Sequence, residues 1–223
     1  MILTFPEVIT AEEQRAILAH VAAGEFVDGR QTAGVLLADR KHNEQIRRDG
    51  AQLEHITGML LQALRRSERF LNAVYPKQLH SLLVSRYREG MHYGPHVDRA
   101  LMGDATLWRT DLSLTLFLNE PDQYDGGELA LESGSGAFKV KLPARALVCY
   151  PTGQTHQVLP VTRGERLVVV AWIQSHVRDA DARETLCDLA AALEAMRGKK
   201  DHSTAYELVN KTHINLLRRW AEA

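Results

Sequence analysis

The triplet His96-Val97-Asp98 places an imidazole and a carboxylate one residue apart in a 223-residue chain. In an extended segment residues i and i+2 project to the same side, so two such groups can converge on one cation. Spacing alone is weak evidence: with ten histidines and 28 acidic residues, chance supplies about one His-x-Asp/Glu triplet. The sequence has two. The other, His42-Asn43-Glu44, falls at the start of a helical pattern, where positions i and i+2 diverge by about 200° around the axis. It reads as a solvated helix-end cluster. Gly90, Gly94 and Pro95 shape a turn just before His96, and loops at the ends of rigid strands commonly present ligands.

His156 is the expected third ligand, because it opens a strand after the Pro151-Thr-Gly-Gln-Thr155 turn. Two neutral imidazoles and a carboxylate on one face of an octahedral ion form the facial arrangement of non-haem Fe(II) oxygenases. Zinc on the same ligands would serve a hydrolase. Arg166 separates the two readings. It opens the apolar run Arg166-Leu-Val-Val-Val-Ala-Trp-Ile173, where a guanidinium must reach solvent or bind an anion. Its planar fork suits a carboxylate. His92 would share a face with His96 only in a helix, which Gly90, Gly94 and Pro95 oppose; a substrate-side place suits it better. Trp172, on the face of Arg166 in a regular strand, is expected to fill the core rather than wall a pocket. Gly126 and Gly127 are expected to serve a tight turn, not a ligand. Arg86, Arg88, Arg99 and Arg109 cluster around the site in sequence. Ordinary surface arginines are the simpler reading, and attraction of an acidic or phosphorylated substrate is the other.

Elements that could position these residues follow from the pattern. The chain is 45% hydrophobic and 25% charged with formal net charge −1, which excludes a disordered chain and argues against general nucleic-acid binding. Cys149 and Cys187 are too few and too far apart for a disulfide framework or a cysteine-type zinc site; a reducing cytoplasm fits. There is no signal-peptide pattern and no membrane-spanning run. Thr10-Ala-Glu-Glu13 is a capping box ahead of a helix near 11–23. Apolar residues from Ile46 to Leu64 predict a long amphipathic helix between Glu44 and Arg66. Beyond Pro76, short apolar runs separated by turn signals such as Ser133-Gly-Ser-Gly136 and Thr162-Arg-Gly164 predict seven or eight antiparallel strands in a jelly-roll-like double sheet. The helical period returns after Arg178, with Leu186, Leu189 and Leu193 in one stripe and a second capping box at Thr204-Ala-Tyr-Glu207. That tail is expected to dock on its own barrel, with a subunit contact as the second possibility. The divisions expected are a helical buttress over 1–78, a core over 79–177 and a helical extension over 178–223.

The segments Tyr87-Arg-Glu-Gly-Met-His-Tyr-Gly-Pro-His96-Val-Asp98 and Tyr124-Asp-Gly-Gly-Glu-Leu129, followed by His156 and Arg166, resemble the Fe(II)/2-oxoglutarate dioxygenases of the prolyl 4-hydroxylase type. The closest resemblance is to the bacterial PKHD-type hydroxylases, related to an iron-uptake factor. It spans about Leu79 to Ser175 and implies a double-stranded β-helix (jelly-roll) core with flanking helices. It implies Fe(II) held by His96, Asp98 and His156, with Arg166 binding the distal carboxylate of 2-oxoglutarate. Tyr87 is implied as a hydroxyl donor to the cosubstrate, against the alternative of a core tyrosine. Collagen-type prolyl hydroxylases more often carry lysine where Arg166 stands, so peptidyl-proline specificity is not carried over. Asp98 fills the position that halide-binding relatives leave open, which favours hydroxylation over halogenation. The reaction expected consumes O2 and 2-oxoglutarate, releases succinate and CO2, and hydroxylates a small-molecule or peptide substrate, with L-ascorbate an optional accessory. A zinc hydrolase and a non-catalytic cupin-like sensor are the competing readings.

Overall fold

The computed structural model describes residues 1–103, 106–134, 136–199 and 203–222. Two antiparallel sheets enclose part of the core between them. The larger runs in the order Leu3–Phe5, Leu147–Pro151, Leu112–Phe117, Arg166–Ser175, Pro76–Tyr87, Glu44–Ile46, Phe26–Asp28. The smaller runs Gly136–Val140, Leu129–Ser133, His156–Val158, His92–His96, Lys41–His42. Helices α1 (Ala11–Ala22), α2 (Ala51–Arg66) and α3 (Glu68–Val74) precede most of the strands, and α4 (Ala180–Gly198) and α5 (Thr204–Trp220) follow them. This is the double-stranded β-helix with flanking helices that the sequence leads one to expect.

Strand alternation sorts the long central strands into two faces. From Arg166–Ser175, the side chains of Leu167, Val169, Ala171 and Ile173 pack with the helices, among them Ile17 of α1, Ile56 and Leu60 of α2 and Phe70 of α3. The intervening Arg166, Val170 and Trp172 line a cavity, and Val168 packs between the sheets. The neighbours repeat this division. Leu114 and Leu116 face the helices while Thr115 lines the cavity; Leu82 and Val84 face the helices while Leu83, Ser85 and Tyr87 line the cavity. The Thr10 capping box forms at α1, with the Thr10 hydroxyl accepting from Glu13 N and the Glu13 carboxylate from Thr10 N. The C-terminal pair docks on the same chain: Tyr75, Val177, Ala182 and Leu186 pack with Leu216, Leu217 and Trp220. The Tyr75 hydroxyl lies 2.9 Å from His213 Nε2.

Four local expectations need correction. The helix predicted from Glu44 begins only at Ala51, after Gly50. Glu44–Ile46 is instead a strand between Phe26–Asp28 and Pro76–Tyr87; three residues are too few to show a two-residue period. His92–His96 is a strand, although it contains Gly94 and Pro95. It pairs Tyr93 with Val158 and His96 with His156, leaving one extra residue between those pairs. That bulge accommodates the glycine and the proline. The Thr162–Gly164 stretch belongs to the strand Val161–Gly164, paired with Tyr124–Gly126. Helix α5 is capped by Ser203, which accepts from Tyr206 N, so the cap falls one residue before the predicted box at Thr204 and lacks its reciprocal glutamate. Within the predicted turn at 133–136, Ser135 lies outside the described residues.

Leu114 is fully buried between the larger sheet and the helices. Leu114→Ala is expected to cost about 2–5 kcal/mol, read by urea unfolding as a lower midpoint at unchanged slope.

Candidate active site

The bulge between the paired strands sets the geometry of the site. His96 and His156 are direct cross-strand partners, with ring centroids 4.2 Å apart, and Asp98 follows two residues beyond the strand end. His96 Nε2 lies 3.6 Å from Asp98 Oδ1, and His156 Nε2 lies 3.6 Å from Asp98 Oδ2. One ligand atom from each of the three lies within 4.8 Å of the others. The outer nitrogens fix the tautomers. His96 Nδ1 is 2.8 Å from the Gly94 carbonyl and His156 Nδ1 is 2.9 Å from the Gln154 carbonyl. A carbonyl only accepts, so each Nδ1 carries the proton and each Nε2 keeps its lone pair for a cation. Burial, together with the neighbouring His156, holds the His96 pKa well below its ordinary value. His96 is therefore neutral at pH 7, as a metal ligand must be.

Asp98 is held from behind. Its Oδ2 accepts from Trp172 Nε1 at 2.8 Å and from Ser113 Oγ at 3.0 Å, and Ser113 Oγ also lies 3.2 Å from Thr152 Oγ1. Trp172 thus walls the site and orients the carboxylate, rather than only filling core as expected. Periodicity put it on the right face; the indole hydrogen bond depends on a tertiary contact that no local pattern encodes. Two aromatic contacts complete the setting: Tyr93 stacks on His96 at 3.7 Å, and the Tyr150 ring meets His156 edge-on at 5.2 Å.

Arg166 opens its strand opposite Tyr87 and is 1% exposed. Its guanidinium carbon lies 5.1 Å from the Tyr87 ring centroid and 5.6 Å from that of Phe117. Among the described residues no carboxylate lies within ion-pair distance of it, and its Nε has no hydrogen-bond partner. The buried Tyr124 hydroxyl also lacks a partner. Burial raises the Tyr87 pKa, so its hydroxyl stays protonated. Gly127, at φ +66°, clears the stem of Arg166: a Cβ there would sit 3.1 Å from Arg166 Cδ and 2.9 Å from Val161 Cγ2. The three ligand-type residues, Arg166 and Tyr87 all line one cavity of about 300 Å³. A buried guanidinium with no carboxylate of a described residue paired to it, facing the same space as three convergent ligand-type residues, fits a carboxylate cosubstrate bound beside a metal ion.

Of the remaining residues singled out by sequence, most lie outside the cavity. His42 and His92 pair across strands, with rings 6.0 Å apart, outside the three-residue cluster. Glu44 binds Arg86 at 2.7 Å. Arg88 lies 3.4 Å from Glu165, and Arg109 is bound by Asp111 and Glu222. Of the four arginines, Arg99 alone lines the cavity. The cavity also contains Thr32, Lys41 and Gln45, residues that sequence reasoning missed because their short segments carry no legible periodicity.

Comparison with known proteins gives this geometry its class. Residues 82–174 match the model of the 2OG-Fe(II) oxygenase superfamily. A Pseudomonas putida prolyl-4-hydroxylase superposes with TM-score 0.52 at 24% identity, covering 78% of this chain and 92% of that one. A 2OG-Fe(II) oxygenase-family oxidoreductase from Burkholderia pseudomallei gives 0.59 at 18% identity, covering 78% and 84%; at these identities the likeness shows the fold. The chain is 45% identical over 223 residues to a PKHD-type hydroxylase of Synechococcus sp. (strain JA-2-3B'a(2-13)), covering all of both. It belongs to the PKHD-type hydroxylases, and it is an Fe(II)- and 2-oxoglutarate-dependent dioxygenase. Neither the zinc hydrolase nor the cupin-like sensor gains support. Among the described residues no helix is long and apolar enough to cross a membrane.

Two outcomes follow. Trp172→Phe keeps the ring but removes the N–H that orients Asp98, and is expected to weaken Mn(II) or Fe(II) binding about 10–100-fold in a metal titration. The second concerns pH. Because the folded pKa of His96 is depressed from 6.5, the unfolded chain takes up the proton first. The metal-free protein should therefore lose stability as pH falls below about 6.5, measured by chemical denaturation, and His96→Gln should flatten that loss.

Proposed function

We propose that His96, Asp98 and His156 hold Fe(II) through two Nε2 atoms and a carboxylate, and that Arg166 binds the distal carboxylate of 2-oxoglutarate. The observation that carries this reading is the Arg166 guanidinium, buried with no carboxylate of a described residue paired to it, in the same cavity as the three convergent ligands. The iron centre, when loaded, supplies O2 activation coupled to decarboxylation of 2-oxoglutarate to succinate and CO2, and hydroxylation of the primary substrate. The chain's own residues do the positioning. Trp172 and Ser113 fix the Asp98 carboxylate. The Gly94 and Gln154 carbonyls hold the imidazoles in the ligating tautomer. Arg166 sets the register of the cosubstrate with a charge-assisted pair in a water-poor site. Tyr87, protonated and cross-strand from Arg166, donates its hydroxyl to the cosubstrate.

A zinc hydrolase would leave the buried guanidinium without a role. The two free thiols, Cys149 and Cys187, support a reducing cytoplasmic setting in which iron stays ferrous, with L-ascorbate an optional reductant. The partners in this reading are O2 and a small-molecule or peptide substrate, without general nucleic-acid binding. A homo-oligomer would use the exposed face of α5, where Leu208 and Ile214 are exposed.

The test is succinate formation from Fe(II), O2 and 2-oxoglutarate. His96→Ala, Asp98→Ala and His156→Ala are each expected to abolish it. Arg166→Ala is expected to raise the apparent KM for 2-oxoglutarate about 100-fold, the scale of a lost buried charge-assisted pair. Turnover that survives loss of Asp98 or His156 contradicts the ligand assignment, and an unchanged KM in Arg166→Ala contradicts the anchor.

A further inference from the structure

The cavity carries more positive charge than iron and cosubstrate account for. Among the described residues its wall presents Lys41, Arg48, Arg99 and Arg166 against one carboxylate, Asp98. On the proposed assignment, Fe(II), Asp98 and Arg166 together balance doubly negative 2-oxoglutarate. No further carboxylate of a described residue on that wall is then left to balance Lys41, Arg48 and Arg99. Arg86, Arg88 and Arg109, by contrast, are spent in ion pairs with Glu44, Glu165, Asp111 and Glu222.

Lys41 is the informative residue, because it is only 6% exposed. It lies on the two-residue strand Lys41–His42, opposite Tyr93. Its ammonium donates to Thr32 Oγ1 at 2.8 Å and sits 5.0 Å from the Tyr93 ring centroid. No carboxylate of a described residue lies within ion-pair distance of it. Thr32 is itself anchored 2.8 Å from Gln45 Oε1, and Gln45 Nε2 lies 3.3 Å from Ser85 Oγ. One of the three ammonium N–H groups is thus fixed to a rigid polar wall, and among the described residues no other acceptor is hydrogen-bonded to it. Burial pushes the Lys41 pKa down to about 8, which the carboxylates of Asp98 and Asp28, both beyond ion-pair distance, offset only in part. Tyr93 carries the ammonium on one side of the chain of contacts and stacks on His96 on the other, at 3.7 Å. An anion on Lys41 would sit one aromatic ring away from a metal ligand, within reach of a small substrate. Arg48 and Arg99 are exposed and extend the positive field outward, where charge guides encounter.

We propose that the primary substrate bears a carboxylate that binds the Lys41 ammonium inside the cavity, with Arg48 and Arg99 drawing it in. A single point-like ammonium with one fixed hydroxyl suits a monoanionic carboxylate, whereas a phosphate dianion is usually met by a fork or by several backbone amides. The proposal rests on the iron and 2-oxoglutarate assignment above. The carboxylate belongs either to a free small acid or to an acidic side chain in a peptide.

The experiment is calorimetric titration of the anaerobic Fe(II)·2-oxoglutarate holoenzyme with two matched pairs of probes. One pair is N-acetylglycine and N-acetylglycinamide; the other is a blocked pentapeptide with central aspartate and its asparagine twin. At least one carboxylate probe is expected to bind about tenfold or more tighter than its neutral partner. Lys41→Met is expected to erase the difference while leaving 2-oxoglutarate affinity unchanged, and Lys41→Arg to retain part of it. The pair that shows the preference identifies the source of the carboxylate. On the wild-type holoenzyme, the same carboxylate, and not its amide, should slow reductive methylation of Lys41 as read by mass spectrometry, so the test survives a variant that folds poorly. Absence of preference in both pairs, a preference that persists in Lys41→Met, or a loss of 2-oxoglutarate affinity in Lys41→Met would overturn the proposal. Failure of the underlying assignment would appear separately, as absent 2-oxoglutarate binding in the wild type before any probe is added.

Discussion

A guanidinium buried to 1% exposure with no carboxylate of a described residue within ion-pair distance is the constraint around which the molecule is organised. Such a group is costly to keep, because desolvation is repaid only by an anion or by π faces. Tyr87 and Phe117 supply the faces at 5.1 and 5.6 Å. The strand that carries Arg166 can hold it in place because it is paired on both edges, with Pro76–Tyr87 and with Leu112–Phe117. Its alternate residues Leu167, Val169, Ala171 and Ile173 are pinned under the helices. The apolar face secures the strand, and the opposite face is free to carry polar groups that would not fold alone.

The metal-ligand cluster depends on the smaller sheet in a complementary way. Two histidines on neighbouring antiparallel strands lie directly opposite each other only when their registers match, and the bulge at Gly94-Pro95 brings His96 opposite His156. Asp98, just beyond the strand, would be free to rotate without Trp172 and Ser113, which both donate to Oδ2. Those two donors come from the larger sheet. The candidate metal centre is therefore built from one sheet and braced by the other, so the packing between them bears directly on ligand geometry.

Much of this was legible in the sequence, and the misses have physical causes. His96, Asp98, His156 and Arg166 stand out because each is chemically expensive where it falls, in turn-bounded or apolar surroundings. The long strands show themselves by alternation, and α1 by its Thr10–Glu13 box. Short strands such as Glu44–Ile46 and Lys41–His42 carry too few residues for a period, so Glu44 was absorbed into a helical pattern that begins only at Ala51. Gly94 and Pro95 signal a turn by type, whereas their place in a bulge is set by the partner strand. The contacts that give Lys41 and Trp172 their place in the site are not local for the same reason: Thr32, Tyr93 and Asp98 meet them only after the sheets close.

The most direct measurement of the central claim is a crystal structure of the protein loaded anaerobically with Fe(II) and 2-oxoglutarate, with iron located by anomalous scattering. Iron is expected bonded to His96 Nε2, His156 Nε2 and an Asp98 oxygen, with the distal carboxylate of 2-oxoglutarate against the Arg166 guanidinium. Iron seated on other residues, or 2-oxoglutarate bound with its distal carboxylate away from Arg166, would contradict it.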